Sequence, residues 1–330
     1  MSVRVGIIGA GIMGADHALT VHRFVAGAEV ALLADPDAAR AEAAAAAVGC
    51  RVTADPTGLV DDEGVDAVVI ASPDSTHPAL VRACAAAGKP VLCEKPLSPA
   101  LADSAALLRD LGERQDLVSL GFMRRFDPGY TELRAMVETN ALGTPLTVRS
   151  VGRGVSSGLG ATSESSVTNS AIHDLDIVPW LLGSPVAEVS WQSPRRTSGV
   201  DFADPQLILL RTADGVLSTV EIFLNARYGY DVRCEVVGET GTASLREPAR
   251  TVVDAGLARG HAYAADWRPR FADAYRLELQ AWVDHLDGGP TGPLATAYDG
   301  LVASAVADAV IGSMHDSGAW TPVRVPGATT

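Results

Sequence analysis

Residues 3–17 read VRVGIIGAGIMGADH, and this stretch decides the fold of the N-terminal part of the chain. An apolar run of strand length, Val3–Ile8, leads directly into GAGIMG at residues 9–14, and a helix-competent segment follows. In this strand–GxGxxG–helix context the first glycine permits a tight turn, the second lets the backbone approach a pyrophosphate, and the third lets the helix pack closely on the strand. The N–H groups and the dipole of the helix N-terminus then face the anion. The stretch predicts a dinucleotide site formed by Gly9, Gly11, Ile12, Met13 and Gly14; the alternative is a glycine-rich turn that binds nothing.

A second predicted strand, Glu29–Leu33, is followed by Asp35. An acidic residue about 20–30 positions after the first glycine can accept hydrogen bonds from the adenosine ribose hydroxyls, and its charge repels the 2′-phosphate of NADP. The next basic residue is Arg40, so the sequence favours NAD. Asp35 could equally cap the helix predicted over Asp37–Val48, and the two roles are compatible.

The composition excludes several classes of protein. A net charge of −14 over 330 residues, without a basic stripe, argues against nucleic acid as a partner. The four cysteines are scattered without CxxC or metal-ligand spacing, so no metal site is expected. Because the first predicted strand begins at Val3, we expect no signal peptide, and no apolar run approaches the roughly 20 residues that cross a bilayer. We expect a soluble, reduced, cytoplasmic protein with no membrane partner.

Strands and helices alternate over the first 120 residues. The predicted strands are Val3–Ile8, Glu29–Leu33, Ala67–Ile70, Val91–Cys93 and Leu117–Leu120, and the predicted helices are Ala15–Ala26, Asp37–Val48, His77–Ala87 and Pro99–Glu113. Apolar strands that alternate with helices predict a doubly wound parallel sheet of the Rossmann type, covered by helices on both faces.

After about Gly121 the pattern changes. Helices are predicted over Pro128–Glu138, Ser170–Leu182, Ala272–Leu286 and Tyr298–Ile311, a Gly/Ser/Thr-rich loop over Gly152–Thr168, and strands over Pro145–Val151, Val186–Gln192, Gln206–Thr212, Val216–Leu224, Val232–Val237 and Ala243–Leu245. Sequential strands joined by turns predict an α+β domain with a mainly antiparallel open sheet. We therefore predict an NAD-binding domain over residues 1–121 and a substrate and oligomerisation domain over residues 122–330. Whether the last helix packs back on the first domain stays open.

Two segments carry groups that could do chemistry. Cys93-Glu94-Lys95-Pro96 lies at the carboxyl end of a predicted strand, the edge where ligands bind in open α/β sheets. The ammonium group of Lys95 could orient a substrate hydroxyl and stabilise an alkoxide that develops on it. The alternative is a surface Glu–Lys pair that precedes a helix.

The second segment is Asn169-Ser-Ala-Ile-His173-Asp-Leu-Asp176. If it is helical, Asn169, His173 and Asp176 project from one face. A histidine titrates near neutral pH and can accept a hydroxyl proton, although a structural histidine is the common outcome. His77, after the strand Ala67–Ile70, could lie near the cofactor, whereas no comparable setting is evident for the other histidines, including His17.

Several stretches resemble one family of oxidoreductases. The turn GAGIMG, LCEKPLS at residues 92–98 and SAIHDLDIVPWLLG at residues 170–183 are similar to the glucose–fructose oxidoreductase/inositol dehydrogenase family, Gfo/Idh/MocA. GFMRRFD at 121–127, YGYDVRCEVVGETG at 228–241, DWRPRFADAYRLELQ at 266–280 and TGPLATAYDG at 291–300 most resemble its inositol 2-dehydrogenase members. The resemblance spans nearly the whole chain.

The resemblance implies NAD-dependent oxidation of a ring hydroxyl of a cyclitol to a ketone. Lys95 and His173 match the catalytic lysine and histidine of that family, with His173 as general base, and Asn169 stands where an acid is expected. The cofactor-binding set implied in this way adds Asp35, Ser72, His77, Glu94 and Lys95 to the glycine turn, and the substrate set is Met123, Arg124, Arg153, Asp176 and Tyr230. Family members often form dimers or tetramers through the open sheet, so a homo-oligomer is expected.

The chain also departs from the family pattern. Asn169 keeps a hydrogen bond but carries no charge that could raise the basicity of His173. The His-Arg-Asn segment of the family reads Gly152-Arg153-Gly154 here, so two polyol-facing side chains are absent. Because each lost hydrogen bond is worth about 0.5–1.5 kcal/mol, myo-inositol is expected to be a poor substrate. The alternatives are a related sugar or amino-cyclitol oxidoreductase and, as a different class, a dinucleotide-binding regulator without catalysis.

Overall fold

The computed structural model describes residues 2–245 and 251–327. The chain forms two units, an N-terminal unit of Met1–Phe126 with Asp273–Ser304 and a C-terminal unit of Asp127–Ala272 with Ala305–Thr330. The segment Asp273–Ser304 thus belongs to the N-terminal unit although it lies late in the sequence. The functional boundary predicted after residue 121 stays a prediction.

The first part of the chain alternates strands and helices as predicted. Its elements are β1 (Val3–Ile8), α1 (Ile12–Phe24), β2 (Ala28–Ala34), α2 (Ala38–Val48), β3 (Arg51–Thr53), α3 (Pro56–Asp61), β4 (Ala67–Ile70), α4 (His77–Ala86), β5 (Val91–Glu94), α5 (Leu101–Leu111) and β6 (Val118–Gly121). β3 and α3 were not predicted, because they are short and β3 leaves Arg51 and Val52 exposed.

The remaining elements are also largely those expected from the sequence. They are α6 (Pro128–Glu138), β7 (Pro145–Arg153), α7 (Ser163–Ser165), a π-helix (Ser166–Ala171), α8 (Ile172–Leu182), β8 (Val186–Gln192), β9 (Gln206–Thr212), β10 (Leu217–Phe223), β11 (Asp231–Gly238), β12 (Thr242–Ser244), β13 (Val253–Ala255), β14 (Ala258–Gly260), α9 (Trp267–Leu286), β15 (Ala295–Thr296), α10 (Ala297–His315) and β16 (Thr321–Pro322). The hairpin β13–β14 and the two-residue strands β15 and β16 were not predicted.

The N-terminal sheet confirms the predicted Rossmann fold. Its order is β15-β6-β5-β4-β1-β2-β3, with every pair parallel except the edge pair of β15 and β6. β4 and β5 are buried along their whole length, because helices cover both faces of a doubly wound sheet. Trp282 and Leu279 of α9 join the apolar core around β1 and α1. Burial of side chains of this size contributes about 1.5–3 kcal/mol each.

The C-terminal sheet confirms the mainly antiparallel arrangement. Its order is β12-β11-β7-β10-β9-β8-β16, and only β7 and β10 run parallel. Along β9, Gln206, Ile208 and Leu210 are buried while the residues between them are partly exposed. This alternation is typical of a sheet with one covered face and one open face.

The segment before α8 differs from the prediction. A loop was expected through Thr168 and a regular helix from Ser170, but α7 and a π-helix occupy residues 163–171. The wider turn of a π-helix changes the angular spacing of side chains, so the simple four-and-three spacing of Asn169, His173 and Asp176 does not apply across it. Asn169 lies in the π-helix and is exposed, whereas His173 lies in α8 and is half-buried.

Within residues 2–245 and 251–327, none of the helices combines the length and the apolar character needed to span a bilayer.

A buried ion pair stabilises the start of α6. The Asp127 carboxylate caps this helix by accepting hydrogen bonds from the backbone N–H groups of Gly129 and Tyr130, at 3.1 and 3.3 Å. It also accepts a hydrogen bond from Arg270 Nη1 at 2.6 Å; the Asp127 side chain is buried and that of Arg270 is 11% exposed. Removal of one partner from a buried pair leaves an uncompensated charge.

We therefore expect Asp127→Ala to destabilise the C-terminal unit by about 3–5 kcal/mol, as measured by urea unfolding. The control is Glu138→Ala on the same helix, which removes only the exposed pair with Arg134 and is expected to change stability by less than about 1 kcal/mol. Equal effects of the two substitutions would contradict the importance of the buried pair.

Candidate functional site

The turn after β1 contains three glycines, two of which have no space for a side chain. Gly9 has a φ of +99°, and a Cβ there would lie 2.6 Å from the carbonyl oxygen of Ala71. A Cβ on Gly14 would lie 1.7 Å from the carbonyl oxygen of Gly9, so α1 packs directly on the turn. A Cβ on Gly11, by contrast, would meet no atom within 4 Å. The turn is therefore closed at Gly9 and Gly14 and open at Gly11.

α1 begins in this turn with the two remaining predicted residues. Ile12 opens the helix and is largely exposed, and Met13 follows it. The first backbone N–H groups of a helix have no partner within the helix, so this end of α1 can receive an anion.

Asp35 connects the end of β2 to the same turn. Its carboxylate is 5% exposed, and Oδ2 accepts a hydrogen bond from the Ala10 N–H at 2.7 Å. Oδ1 accepts a hydrogen bond from the Asp37 N–H at 2.8 Å. Asp37, rather than Asp35, caps α2 by accepting a hydrogen bond from the Arg40 N–H. The predicted capping role of Asp35 is thus wrong, and Asp35 instead fixes the glycine turn.

Arg40 lies closer to Asp35 than its position in the sequence indicated. One turn into α2, its guanidinium Nη2 lies 3.1 Å from Asp37 Oδ2 and its Nη1 lies 3.7 Å from Asp35 Oδ2. The first turn of α2 brings Arg40 next to Asp37, three residues before it, and Asp35 lies just before this turn. The edge of the turn beside Asp35 therefore carries two carboxylates and one guanidinium.

Ser72 and His77 join the loops that follow β4 and β5. The His77 ring is fully buried, with Nδ1 2.7 Å from the carbonyl oxygen of Pro96 and Nε2 3.0 Å from the carbonyl oxygen of Ser72. The Ser72 hydroxyl lies 2.7 Å from that of Thr76. His77 thus ties two loops at the carboxyl edge of the sheet. Contact of Ser72 or His77 with the cofactor stays a prediction.

Glu94 is buried, which does not fit a surface Glu–Lys pair. Its Oε1 lies 2.7 Å from Nε2 of His17, which is on α1. Burial alone would raise the pKa of Glu94, but the hydrogen bond with His17 and the nearby positive charges outweigh it and hold this pKa below its usual value. His17 was not among the residues predicted for the site. It could have been identified from its position on the side of α1 that faces the sheet, next to the glycine turn.

Lys95 follows Glu94 at the carboxyl end of β5. Burial lowers the pKa of the Lys95 ammonium; Glu94 and Asp74 oppose this effect, and the positive charge of Arg124 adds to it. Met123 and Arg124 form a short 3-10 helix after β6 and are both buried. A lysine with a lowered pKa can exchange a proton closer to neutral pH than an ordinary lysine can.

The C-terminal unit carries the other predicted catalytic residues. His173 is half-buried on the first turn of α8, and Asp174 and Asp176 beside it are buried. The Ser150 hydroxyl of β7 donates a hydrogen bond to Asp174 Oδ1 at 2.5 Å, which fixes this end of α8 on the sheet. The predicted roles of His173, Asn169 and Asp176 stay predictions.

The end of β7 presents glycine to α8 and arginine to the open face of the sheet. A Cβ on Gly152 would lie 3.3 Å from Ile222 Cδ1 and 3.8 Å from Asp174 Oδ2. Arg153 projects to the opposite face, where Nε donates to Glu221 Oε1 at 2.6 Å and Nη1 donates to the Tyr228 hydroxyl at 3.1 Å. A substrate contact of Arg153 is the predicted role that this geometry supports least.

Tyr230 lies between β10 and β11. Its backbone N–H donates to the carbonyl oxygen of Ala264 at 2.8 Å, and its ring packs edge-on against Phe271 with the ring centroids 6.4 Å apart. Its predicted substrate contact stays a prediction.

Over the described parts of the chain, His, Cys, Asp and Glu side chains form no group of three or more that could hold a metal ion. The four cysteines are free thiols.

The fold and the glycine turn define a dinucleotide-binding protein, and comparison with known proteins shows that it is an oxidoreductase. Residues 3–122 match the Gfo/Idh/MocA oxidoreductase family with its NAD-binding Rossmann fold, and residues 130–244 match the C-terminal domain of that family. The chain is 53% identical to inositol 2-dehydrogenase 2 of Paenarthrobacter aurescens, over 98% of this chain and 99% of the relative. It is 48% identical to inositol 2-dehydrogenase 1 of Saccharopolyspora erythraea, over 98% and 97% of the two chains.

A solved structure gives the same result. The myo-inositol dehydrogenase of Lactobacillus casei, crystallised with NAD(H) and myo-inositol, superposes with a TM-score of 0.91 at 31% identity, over 100% of this chain and 99% of that one. The chain therefore belongs to the Gfo/Idh/MocA family. It is an NAD-dependent oxidoreductase that acts on a CH–OH group, as predicted.

The residues of the glycine turn fit NAD. The open space at Gly11 is where a Cβ would project toward a pyrophosphate, and the N-terminus of α1 supplies backbone donors. Each oxygen of the Asp35 carboxylate accepts one backbone hydrogen bond, which leaves acceptor capacity for the ribose hydroxyls. Gly9, Gly11, Gly14 and Asp35 are thus the residues that would hold the cofactor.

Two glycine substitutions test whether Gly14 is required for packing and Gly11 for binding NAD. Gly14→Ala is expected to lower the melting temperature by roughly 5 °C or more, because its Cβ meets the backbone of Gly9. Gly11→Ala is expected to leave the melting temperature unchanged and to raise the Kd for NAD about tenfold or more, because its Cβ enters the space for the pyrophosphate. Thermal denaturation and NAD titration of both variants provide the measurement. An unchanged NAD affinity of Gly11→Ala would contradict the assignment.

Proposed function

We propose that the protein oxidises a ring hydroxyl of a cyclitol to a ketone, with NAD as the oxidant and with Lys95 and His173 assisting the transfer of the hydroxyl proton. The observation that carries this proposal is the position of Lys95 at the carboxyl end of β5, with a pKa lowered by burial. Ligands bind at this edge in open α/β sheets. The identity to inositol 2-dehydrogenases over nearly the full chain supports the substrate class.

The proposed reaction assigns one task to each residue. His173 takes the hydroxyl proton on its imidazole while the O–H bond breaks. Lys95 donates a hydrogen bond to the same oxygen and stabilises the negative charge that develops there. Bound NAD supplies the nicotinamide C4 that accepts the hydride from the carbon. The C=O bond forms with the electron pair of the O–H bond, so the products are the ketone, NADH and a proton.

The other assignments of the site complete this proposal. Residues 1–121 bind NAD, with Ile12, Met13, Ser72, His77 and Glu94 beside the glycine turn and Asp35. Residues 122–330 hold the substrate, with Met123, Arg124, Asp176 and Tyr230 as its contacts. Asn169 supplies a hydrogen bond in place of the acid.

We also propose that the chain works as a homo-oligomer, a dimer or a tetramer, in the cytoplasm. The open face of the C-terminal sheet supports the first statement, because Leu209, Leu217 and Phe223 remain partly exposed on it. Four free thiols support the second, since thiols persist in a reducing compartment.

The role of Lys95 is testable because the chain contains only one other lysine, Lys89. Lys95→Ala is expected to reduce kcat by about 100-fold or more, because it removes the group that stabilises the alkoxide, and to leave the Kd for NAD within about threefold. Lys89→Ala is the matched control: this ammonium donates to the carbonyl oxygen of Asp62, and its loss should not change kcat.

Turnover is measured as NADH absorbance with a panel of cyclitols and aldoses. Undiminished turnover by Lys95→Ala would contradict the mechanism. If the unmodified protein binds NAD but turns over no polyol, the alternative of a dinucleotide-binding regulator without catalysis would be favoured.

We further propose that myo-inositol is a poor substrate and that a bulkier or less hydroxylated cyclitol, an amino-cyclitol or a sugar fits better. The support is the end of β7, where Gly152 and Gly154 carry no side chain and Arg153 bonds to Glu221 on the other face. Fewer hydrogen-bond partners then face a polyol.

The variant Gly152→His, which restores the histidine of the family segment at this position, tests the substrate proposal. It is expected to raise kcat/KM for myo-inositol about three- to tenfold, the effect of one additional hydrogen bond. Gly158→His, in the exposed loop where a Cβ meets no atom within 4 Å, is the control and should have no effect. If the unmodified protein already prefers myo-inositol over the rest of the panel, the substrate proposal is wrong, while the proposed reaction class stands.

A further inference from the structure

A buried imidazole–carboxylate pair lies beside Lys95, and the proposed reaction does not use it. His17 Nε2, on α1, lies 2.7 Å from Glu94 Oε1, at the end of β5. The His17 residue is 1% exposed and Glu94 is 8% exposed. Burial of a carboxylate is unfavourable unless hydrogen bonds or an opposite charge compensate it. The chain maintains this pair one residue before the proposed catalytic lysine.

The position of the Glu94 carboxylate is fixed from three sides. The first contact is His17, whose ring packs edge-on against Tyr275 with a centroid distance of 5.6 Å. The second is the Lys95 backbone N–H, which donates to Glu94 Oε2 at 3.3 Å. The third is Gly121, which pairs with Glu94 in the sheet and where a Cβ would lie 3.0 Å from Oε2. A Cβ at position 121 would thus press on the carboxylate, which would have to move by a few tenths of an ångström.

The surroundings of His17 indicate which proton it carries. Within the described residues, Nδ1 of His17 is buried and has no hydrogen-bond partner. A charged ring would bury an N–H donor at Nδ1 without an acceptor, whereas the neutral ring with its proton on Nε2 donates to Glu94 and leaves only a lone pair unpaired. The neutral tautomer therefore fits the geometry, and the pair keeps the full negative charge of Glu94.

We propose that Glu94 is a positioning residue that keeps the Lys95 amine in its charged form, and that His17, as a neutral donor, holds Glu94 in place. The inference rests on the proposed role of Lys95 in the reaction. It explains why a glutamate precedes the lysine. Burial favours loss of the lysine proton, and the negative carboxylate opposes that loss.

The charged groups around the pair agree with this proposal. Glu94 and Asp74 raise the pKa of Lys95 against the effect of burial, while Arg124 lowers it. On the carboxylate, the hydrogen bond with His17 and the positive charge of Lys95 lower the pKa against the effect of burial. If Glu94 lost its charge, Asp74 would be the one group of those just named that still raises the pKa of Lys95. Lys95 would then lose its proton at a lower pH.

The experiment measures the protonation of Lys95 in the protein without added cofactor or substrate. Reductive methylation with ¹³C-formaldehyde labels only Lys89, Lys95 and the α-amino group, since the chain has two lysines. An NMR pH titration then reports each amine, and a Lys89→Arg variant assigns the signals. The titrated proteins are the unmodified chain, Glu94→Gln, His17→Gln, which retains a neutral donor, and His17→Leu, which does not.

The expected result is a downward displacement of the Lys95 midpoint by about one pH unit or more in Glu94→Gln. In His17→Gln the Lys95 midpoint should equal that of the unmodified chain. In His17→Leu it should lie between the midpoints of the unmodified chain and of Glu94→Gln. If Glu94→Gln does not fold, His17→Leu, which removes the donor to the carboxylate, carries the test, and its Lys95 midpoint should also be lower than in the unmodified chain. The Lys89 midpoint should stay constant throughout. An unchanged Lys95 midpoint in Glu94→Gln, or an equal displacement of Lys89, would overturn the proposal.

The pH dependence of kcat separates this inference from the proposed function. If both hold, the limb of the profile that follows Lys95 moves to lower pH in Glu94→Gln, in parallel with the NMR midpoint. If the midpoint moves and the kcat profile does not, Glu94 controls the charge of Lys95 but Lys95 is not the catalytic group.

Discussion

The close approach of α1 to the turn after β1 is the constraint on which the N-terminal unit depends. The Gly14 Cα packs against the Gly9 carbonyl so tightly that no Cβ fits between them. This contact sets the first turn of α1 above the end of β1, where its unpaired N–H groups face an anion. Asp35 then fixes the turn through the Ala10 N–H. One backbone contact thus shapes both the fold and the NAD site.

At the same edge of the sheet, burial determines the protonation of charged groups. Because parallel strands end together, the loops after β4 and β5 lie side by side, and His77 joins them through two backbone carbonyls. Glu94 and Lys95 enter this edge from β5, with His17 of α1 against the carboxylate. In water such a pair would contribute little. When buried, each charge changes the protonation of its neighbour, which is the property that a proton-transfer group requires.

Much of this architecture could be predicted from the sequence. The predicted strands Val3–Ile8 and Ala67–Ile70 have those bounds in the structure, and Ala67–Ile70 is apolar throughout because it is buried on both faces. The glycine turn and the Glu94–Lys95 segment were visible because local spacing determines them.

Other features depend on contacts between distant residues or on helix geometry. His17 and Glu94 are 77 positions apart, and only the packing of α1 on the sheet brings them together. The π-helix before α8 has no simple sequence pattern, so the geometry around Asn169 was not foreseen. Arg40 reaches Asp35 through a helical turn, and Arg153 turns away from Gly152 through strand alternation.

The central claim is that Lys95 and His173 act on one substrate hydroxyl. A crystal structure of the chain with NAD and a cyclitol that it oxidises tests this claim most directly. We predict that Lys95 Nζ and one imidazole nitrogen of His173 both lie within about 3.2 Å of the same hydroxyl oxygen. A complex in which either group contacts a different oxygen, or none, would contradict it.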